Sequence, residues 1–225
     1  MKLNIDKTKV MLFNFTKNFQ FSTRLTIHEI PLEVVKVAKL LGIIITNDLS
    51  WDQNTKYLTR KAYARMQMLH HLVKYGVPHE DLVLIYILFV RSLLEQSAVV
   101  WHSGLTEENR TDLERVQKTC LKIIFGDAYI NYESALTKAG LQNLDDRRNS
   151  LCLKFAKNCI KNKNTKHMFP VRENYTNAET RFPEVYQVQH ANTDRLKKSP
   201  LIFMQNLLNL SMFKFSTTGT PCIKH

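Results

Sequence analysis

The chain has 225 residues, 44% hydrophobic and 23% charged, with six glycines and six prolines. That composition buries a sizeable core and excludes collagenous, low-complexity and disordered classes. A formal net charge of +12 and a pI near 9.6 favour phosphate-rich partners through long-range attraction, and its spread along the whole chain fits a folded basic surface better than a terminal arm.

Three extended segments come first, at residues 8–15, 24–30 and 35–46. The third is rich in valine and isoleucine, as a strand covered on at least one face requires, and a short three-stranded meander is the simplest arrangement. So small a sheet leaves an edge or a face uncovered. From Ser50 the hydrophobic period becomes that of a helix. Over 52–75, Leu58, Ala62, Met66, Leu69 and Val73 fall on one stripe, and Lys56, Arg60, Gln67, His71 and Lys74 on the opposite one. Gly76 stops it. Pro78 with Glu80 and Asp81 opens a second helix that runs to about Trp101. Its apolar run, residues 82–90, is closed by Arg91 after nine residues, too short to span a bilayer, so a helix buried on most sides is expected and no membrane partner.

Thr106 caps a third helix to about Phe125, with Leu113, Val116, Cys120 and Ile124 on one face and Arg115, Lys118 and Lys122 on the other. A short helix over 132–139 ends at Gly140. A fifth, over 145–162, sets Leu151, Cys152, Phe155, Ala156 and Cys159 against Lys154, Lys157 and Lys161. Residues 163–198, with Pro170 and Pro183, predict a loop-rich crossing. Ser199 and Pro200 read as cap and first-turn proline of a last helix, about 199–211, and a disordered tail is expected over 216–225.

Cys120, Cys152, Cys159 and Cys222 form no Cys-x-x-Cys unit and no zinc-knuckle spacing with a histidine, so no metal site is expected, and free thiols in apolar helical patterns point to a reducing intracellular compartment, nuclear or cytoplasmic. His70, His71 and His79 lack partners at zinc spacing. There is no phosphate-cradling Gly-x-x-x-x-Gly-Lys loop and no nucleophile elbow. Asp145-Asp146 opens a helical pattern and is explained by the helix dipole. The stripe of Lys56, Arg60 and Lys74 is either a solvated face or a track for phosphates, and the same choice applies to Arg115, Lys118 and Lys122; Lys154, Lys157 and Lys161 read as solvated. Trp51 and Trp101 read as packing anchors.

Several marks occur in a fixed order: Leu3-Asn4 with Lys7-Thr8-Lys9; Leu41-Gly42 followed by Leu49-Ser50-Trp51; residues 91–101; Leu113-Glu114-Arg115-Val116-Gln117; Arg147-Arg148 with Leu151-Cys152; and Ser199-Pro200 with Leu207-Leu208-Asn209. In that order and spacing the chain resembles the C-terminal part of a reverse transcriptase of LINE-type, non-LTR, jockey-like retrotransposons, over residues 3 to about 211.

The resemblance implies an α+β, mostly α-helical fold. Residues 1–49 would be a partial palm with a small antiparallel sheet, 50–162 a helical thumb or connection, and 163–225 a crossing, terminal helix and tail. Lys7 would match the motif D lysine beside the departing pyrophosphate, and Leu41 and Gly42 the primer grip. Lys56, Arg60, Lys74, Arg115, Lys118 and Lys122 would follow the template-primer duplex without reading sequence. The parent family uses Mg²⁺ held by palm aspartates. Those aspartates lie upstream of residue 3 in the family pattern, so these residues alone are expected to be inactive as a polymerase and to need the N-terminal palm and fingers. An interaction module retained by a host, binding protein or nucleic acid through its helices, is the alternative.

Overall fold

A computed structural model describes residue 4 and residues 7–15, 25–172 and 185–217. Leu3, Arg24, Pro183, Cys222 and the tail from residue 218 lie outside the described residues. The protein is mostly helical with a few short strands, as expected, but the strands are not a meander. β1 (Lys9–Val10) pairs in parallel with β4 (Glu33–Val34), β2 (Thr26–Ile27) pairs with β3 (Ile30–Pro31), and β5 (Val37–Leu40) pairs with β6 (Ile43–Thr46), the last two antiparallel. Two tight turns explain the difference. His28 and Glu29 have φ of 48° and 65°, and Leu41 and Gly42 have φ of 49° and 88°; positive φ at both central residues is the two-residue hairpin turn whose twist matches its strands. The segment over 35–46 is therefore a hairpin folded at Leu41-Gly42 rather than one strand. Val34 and Leu40 on these strands and Leu41 in the turn are more than half exposed.

The β5–β6 hairpin is tied to the first helix, α1 (Asp52–Lys74), because the Asn54 side chain accepts the Ile44 amide at 3.1 Å. Leu58, Ala62, Met66 and Leu69 of α1 are buried, each at i+4 or i+3 from the last, while Val73 in the final turn is exposed. α2 (His79–Ile85) continues into a π-helical turn (Tyr86–Arg91) and α3 (Ser92–Glu95); Ser97, at φ 52°, breaks the chain before α4 (Ala98–Trp101). The expected single helix to Trp101 is thus interrupted, and the break has a use: the freed Gln96 carbonyl accepts the buried Trp101 indole at 2.9 Å. Nor is this stretch buried on most sides. Against the expectation of a run too short to span a bilayer, His79–Gly104 is by length and composition alone long and apolar enough to cross one, and only 28% of its most apolar window is buried, with Leu84, Leu88 and Phe89 about half exposed.

α5 (Glu107–Phe125) begins where the Thr106 hydroxyl accepts the Asn109 amide. α6 (Tyr132–Ala139) and α7 (Leu144–Lys161) are capped by Asn131 and Asn143 in the same way. α1 lies on α5, α7 on α5 and on α4. The apolar stripes of α1, α2 and α5, with Trp101, Leu144 and Ile43, form the main core. A second, smaller core joins Cys152, Ala156 and Cys159 of α7 to Phe169, Tyr186, Met204 and Leu208. α8 (Asp194–Lys197) is a single turn, and α9 (Pro200–Thr217) extends past the expected end at 211, taking in Ser216 and Thr217.

α9 holds the crossing by side-chain amides. Asn209 accepts the Tyr186 amide at 2.9 Å and donates to the Tyr186 carbonyl at 3.0 Å; Gln205 accepts from Gln189 N at 3.1 Å and donates to the Met168 carbonyl at 3.0 Å. Val171 and Tyr186 form an isolated antiparallel bridge, with Arg172 N donating to the Val185 carbonyl at 3.1 Å. Both ends of the segment over 173–184 are fixed to one helix.

Candidate nucleic-acid interface

The side of α1 opposite its apolar stripe is a solvent face, and it carries Lys56, Arg60, Gln67, His71 and Lys74, all exposed. Lys56 and Lys74 are 18 residues apart in a continuous helix, about 27 Å, the axial length of roughly eight base pairs. Among the described residues no carboxylate or ring is recorded against Lys56, Arg60 or Lys74. About 100° around the helix, the ring of Tyr57 sits between two further cations: Lys39 Nζ of β5 lies 4.9 Å from its centroid and Lys61 Nζ of α1 4.8 Å. Hydrogen bonds from Lys39 and then Lys61 pull the Tyr57 phenol down to about 8.

The α5 stripe differs. Arg115 pairs with Asp112 at 2.7 Å, Lys118 lies 5.0 Å over the Tyr132 ring, and Lys122 lies 5.6 Å over the Tyr129 ring. Each cation already has a neighbour of its own. Arg115 and Lys118 also line a cleft of about 510 Å³ together with Glu107, Glu114 and Asp145, so its charge is mixed. α1 and α5 meet through their apolar stripes, and each basic stripe lies on the side of its helix away from that contact. The structure does not merge the two stripes into one track.

Lys7 is exposed, its amide bonded to the Asn4 side chain at 3.2 Å. Leu41 is 88% exposed at the tip of the β5–β6 hairpin. Gly42 is approached by Gln96, whose side-chain nitrogen would lie 2.5 Å from a Cβ placed there. The Leu41-Gly42 pair is therefore a turn pressed against the α3–α4 break, not part of a strand.

The other marks that carry the resemblance are joints of the fold. Gln117, fully buried, accepts from Tyr86 Oη at 2.6 Å and donates to Tyr132 Oη at 2.7 Å and to the Gln142 carbonyl at 3.0 Å. Glu114 accepts from the Tyr132 hydroxyl and from the Leu144 amide at the start of α7. Glu95 accepts from Arg91 and from Arg147. Trp51 packs on Gly104 so closely that a Cβ there would meet the indole nitrogen at 2.5 Å.

One cluster is absent from the sequence reading. Arg148 and His102 are both fully buried, and Arg148 Nε donates to His102 Nδ1 at 3.2 Å while His102 Nε2 lies 2.9 Å from the Asn149 oxygen. Burial, ahead of the Arg148 charge, drives His102 down to about 4, so it is neutral. Arg148 lies 5.8 Å from the Trp101 ring centroid, and both terminal guanidinium nitrogens lack a hydrogen-bond partner among the described residues. The signal was the spacing of Leu144, Arg148, Cys152 and Ala156: steps of four put the arginine on the buried stripe and leave Phe155, 43% exposed, at its margin.

The acidic pair in this region does not suit Mg²⁺. Asp145 is ion-paired with Arg110 and faces Arg148 and His102 at 3.9 Å, and Asp146 accepts from the Asn143 side chain at 2.7 Å. A carboxylate already neutralised by guanidinium, with its neighbour turned to the helix cap, offers no paired oxygens to a hard cation. Beyond its first-turn position, Asp145 thus also helps hold the His102–Arg148 junction. Among the described residues no group of three or more His, Cys, Asp and Glu side chains gathers in metal-binding fashion.

No protein-family model matches the chain, and neither the curated proteins nor the solved structures contain a significant match to it.

Proposed function

We propose that the chain is the thumb-side part of a non-LTR reverse transcriptase and that its retained activity is non-specific binding of a nucleic-acid duplex along α1. The reading is supported by the ordered marks from Leu3-Asn4 to Leu207-Leu208-Asn209 and, above all, by the unshared cationic stripe of Lys56, Arg60 and Lys74 on a continuous helix that directly follows the Leu41-Gly42 hairpin and Leu49-Ser50-Trp51. The carboxylates of the parent chemistry are not among these residues, so binding rather than polymerisation is the activity proposed for them.

Anisotropy of a labelled RNA–DNA duplex across a salt series tests this. Affinity should fall steeply with salt, because neutralised phosphates release counterions, and K56Q/R60Q/K74Q should flatten the slope of log K against log salt by about 2 to 3. Unchanged affinity and slope in the triple variant would overturn the assignment to α1. Primer extension on an RNA template with magnesium or manganese should stay at background.

A second reading, a protein-binding module, is favoured by the half-exposed row of Leu84, Leu88 and Phe89. Salt-insensitive binding to a protein, with no duplex binding, would replace the first reading by this one.

A further inference from the structure

Lys39, Tyr57 and Lys61 are brought together from two elements, a strand and a helix, whose mutual position is fixed by the Asn54–Ile44 hydrogen bond. Two ammonium groups against one ring repel each other, and no carboxylate among the described residues is paired with either. Lys39 and Lys61 are exposed and Tyr57 is partly so, so the trio is open to a ligand. It offers two positive charges and one phenolic O–H donor at one point of the surface. An anionic tetrahedral group with several acceptor oxygens satisfies all three at once. A carboxylate would have fewer oxygens for the three donors.

We propose that Lys39, Tyr57 and Lys61 form a phosphate-binding clamp that takes a backbone phosphodiester of a nucleic-acid strand, beside the Lys56–Arg60 end of the α1 stripe. This rests on the nucleic-acid reading above and adds a contact outside the stripe, made jointly by the hairpin and the helix. The depressed phenol fits such a site, since the lysines now stabilise the tyrosinate for want of another anion. A bound phosphate neutralises both lysines and disfavours a second negative charge beside it, so the Tyr57 phenol moves up towards its ordinary value of 10. By linkage, affinity is full below pH 8 and weakens as pH rises from 8 towards 10.

The experiment titrates phenolate ultraviolet absorbance of the full chain against Y57F, so that the difference reports Tyr57, alone and with saturating inorganic phosphate or an RNA–DNA duplex. Duplex anisotropy is measured in parallel for Y57F, K39Q and K61Q. The expected result is an upward move of the Tyr57 midpoint by a pH unit or so with either ligand and a several-fold loss of duplex affinity in K39Q and K61Q. Duplex binding with no movement of the Tyr57 midpoint and no loss in K39Q or K61Q overturns the clamp and leaves α1 binding standing. A midpoint moved by inorganic phosphate without any duplex binding supports a phosphate site but overturns the nucleic-acid assignment and the proposed function. No movement and no binding overturn both.

Discussion

His102 titrates between mildly acidic and neutral pH in a way that couples to this fold. Burial holds it near 4, well below the value near 6.5 it takes once unfolded. Between those values the unfolded chain binds the extra proton, so stability is full above pH 6.5 and falls as pH drops towards 4, by roughly 1.4 kcal/mol per pH unit at most. Denaturant midpoints measured from pH 7 to pH 4.5 should show this slope, and H102Q should lessen it. Its partner Arg148 is expected to behave asymmetrically. Both R148A and R148M strip the hydrogen bond to His102 and remove a buried charge with two unpartnered nitrogens, but R148A also removes packing against Trp101, costing about 3 kcal/mol, whereas R148M keeps the volume and should cost about 1 kcal/mol or less. Equal losses in the two variants would show that the guanidinium itself, not its volume, holds the junction. The thiols follow the same logic of burial: Cys120 is pushed up to about 12 and Cys152 to about 11, so both should resist alkylation in the native protein and react once unfolded, as read by peptide mass mapping. Their place on apolar stripes was legible in the sequence. The buried arginine was not, because a charged side chain is normally assigned to the outer face and only the four-residue spacing argued otherwise.

Helices were more legible than strands. Thr106 and Gly126 bound α5, and the left-handed Gly140 ends α6, where capping residues and terminal glycines should be, because these signals are local. The hairpins were missed because their turns use His28-Glu29 and Leu41-Gly42 rather than the Asn-Gly or Asp-Gly pairs that announce such turns. The break at Ser97 was not legible because it falls on a non-glycine residue at φ 52°, with no glycine or proline to mark it. The strain at Leu41 is directly testable. At φ 49° and 88% exposed, leucine contributes little packing and adopts a region that asparagine tolerates better, so L41N should stabilise the protein by about 0.5 to 1 kcal/mol. G42A should destabilise by about 1 kcal/mol, chiefly through its backbone, since the Gln96 amide in its way is the movable end of a side chain. Chemical denaturation of the two variants, with opposite shifts expected, checks the turn assignment.

At the level of the whole molecule, composition foretold a folded basic protein but not how unevenly its charge is available. The α1 cations face solvent, while those of α5 lie against Asp112, Tyr132 and Tyr129, neighbours supplied in part by α6 and the loop before it, which a helical wheel of α5 cannot show. The triple variant of Arg115, Lys118 and Lys122 to glutamine should therefore weaken duplex binding less than the α1 variant does, measured by the same anisotropy series. The opposite ranking would move the interface to α5. The two cores meet around His102, Arg148 and Phe203, whose ring stands edge-on to the imidazole with centroids 5.6 Å apart.

The amide side chains of α9 have a reciprocal consequence. Because Gln205 and Asn209 grip the backbone at Met168 and Tyr186, and Val171 meets Tyr186, one helix fastens stretches that are distant in sequence and depends on them in turn. N209L, which keeps the helix but removes both hydrogen bonds to Tyr186, should therefore loosen α9 from the crossing as well as the crossing from α9, and hydrogen exchange should report both losses together.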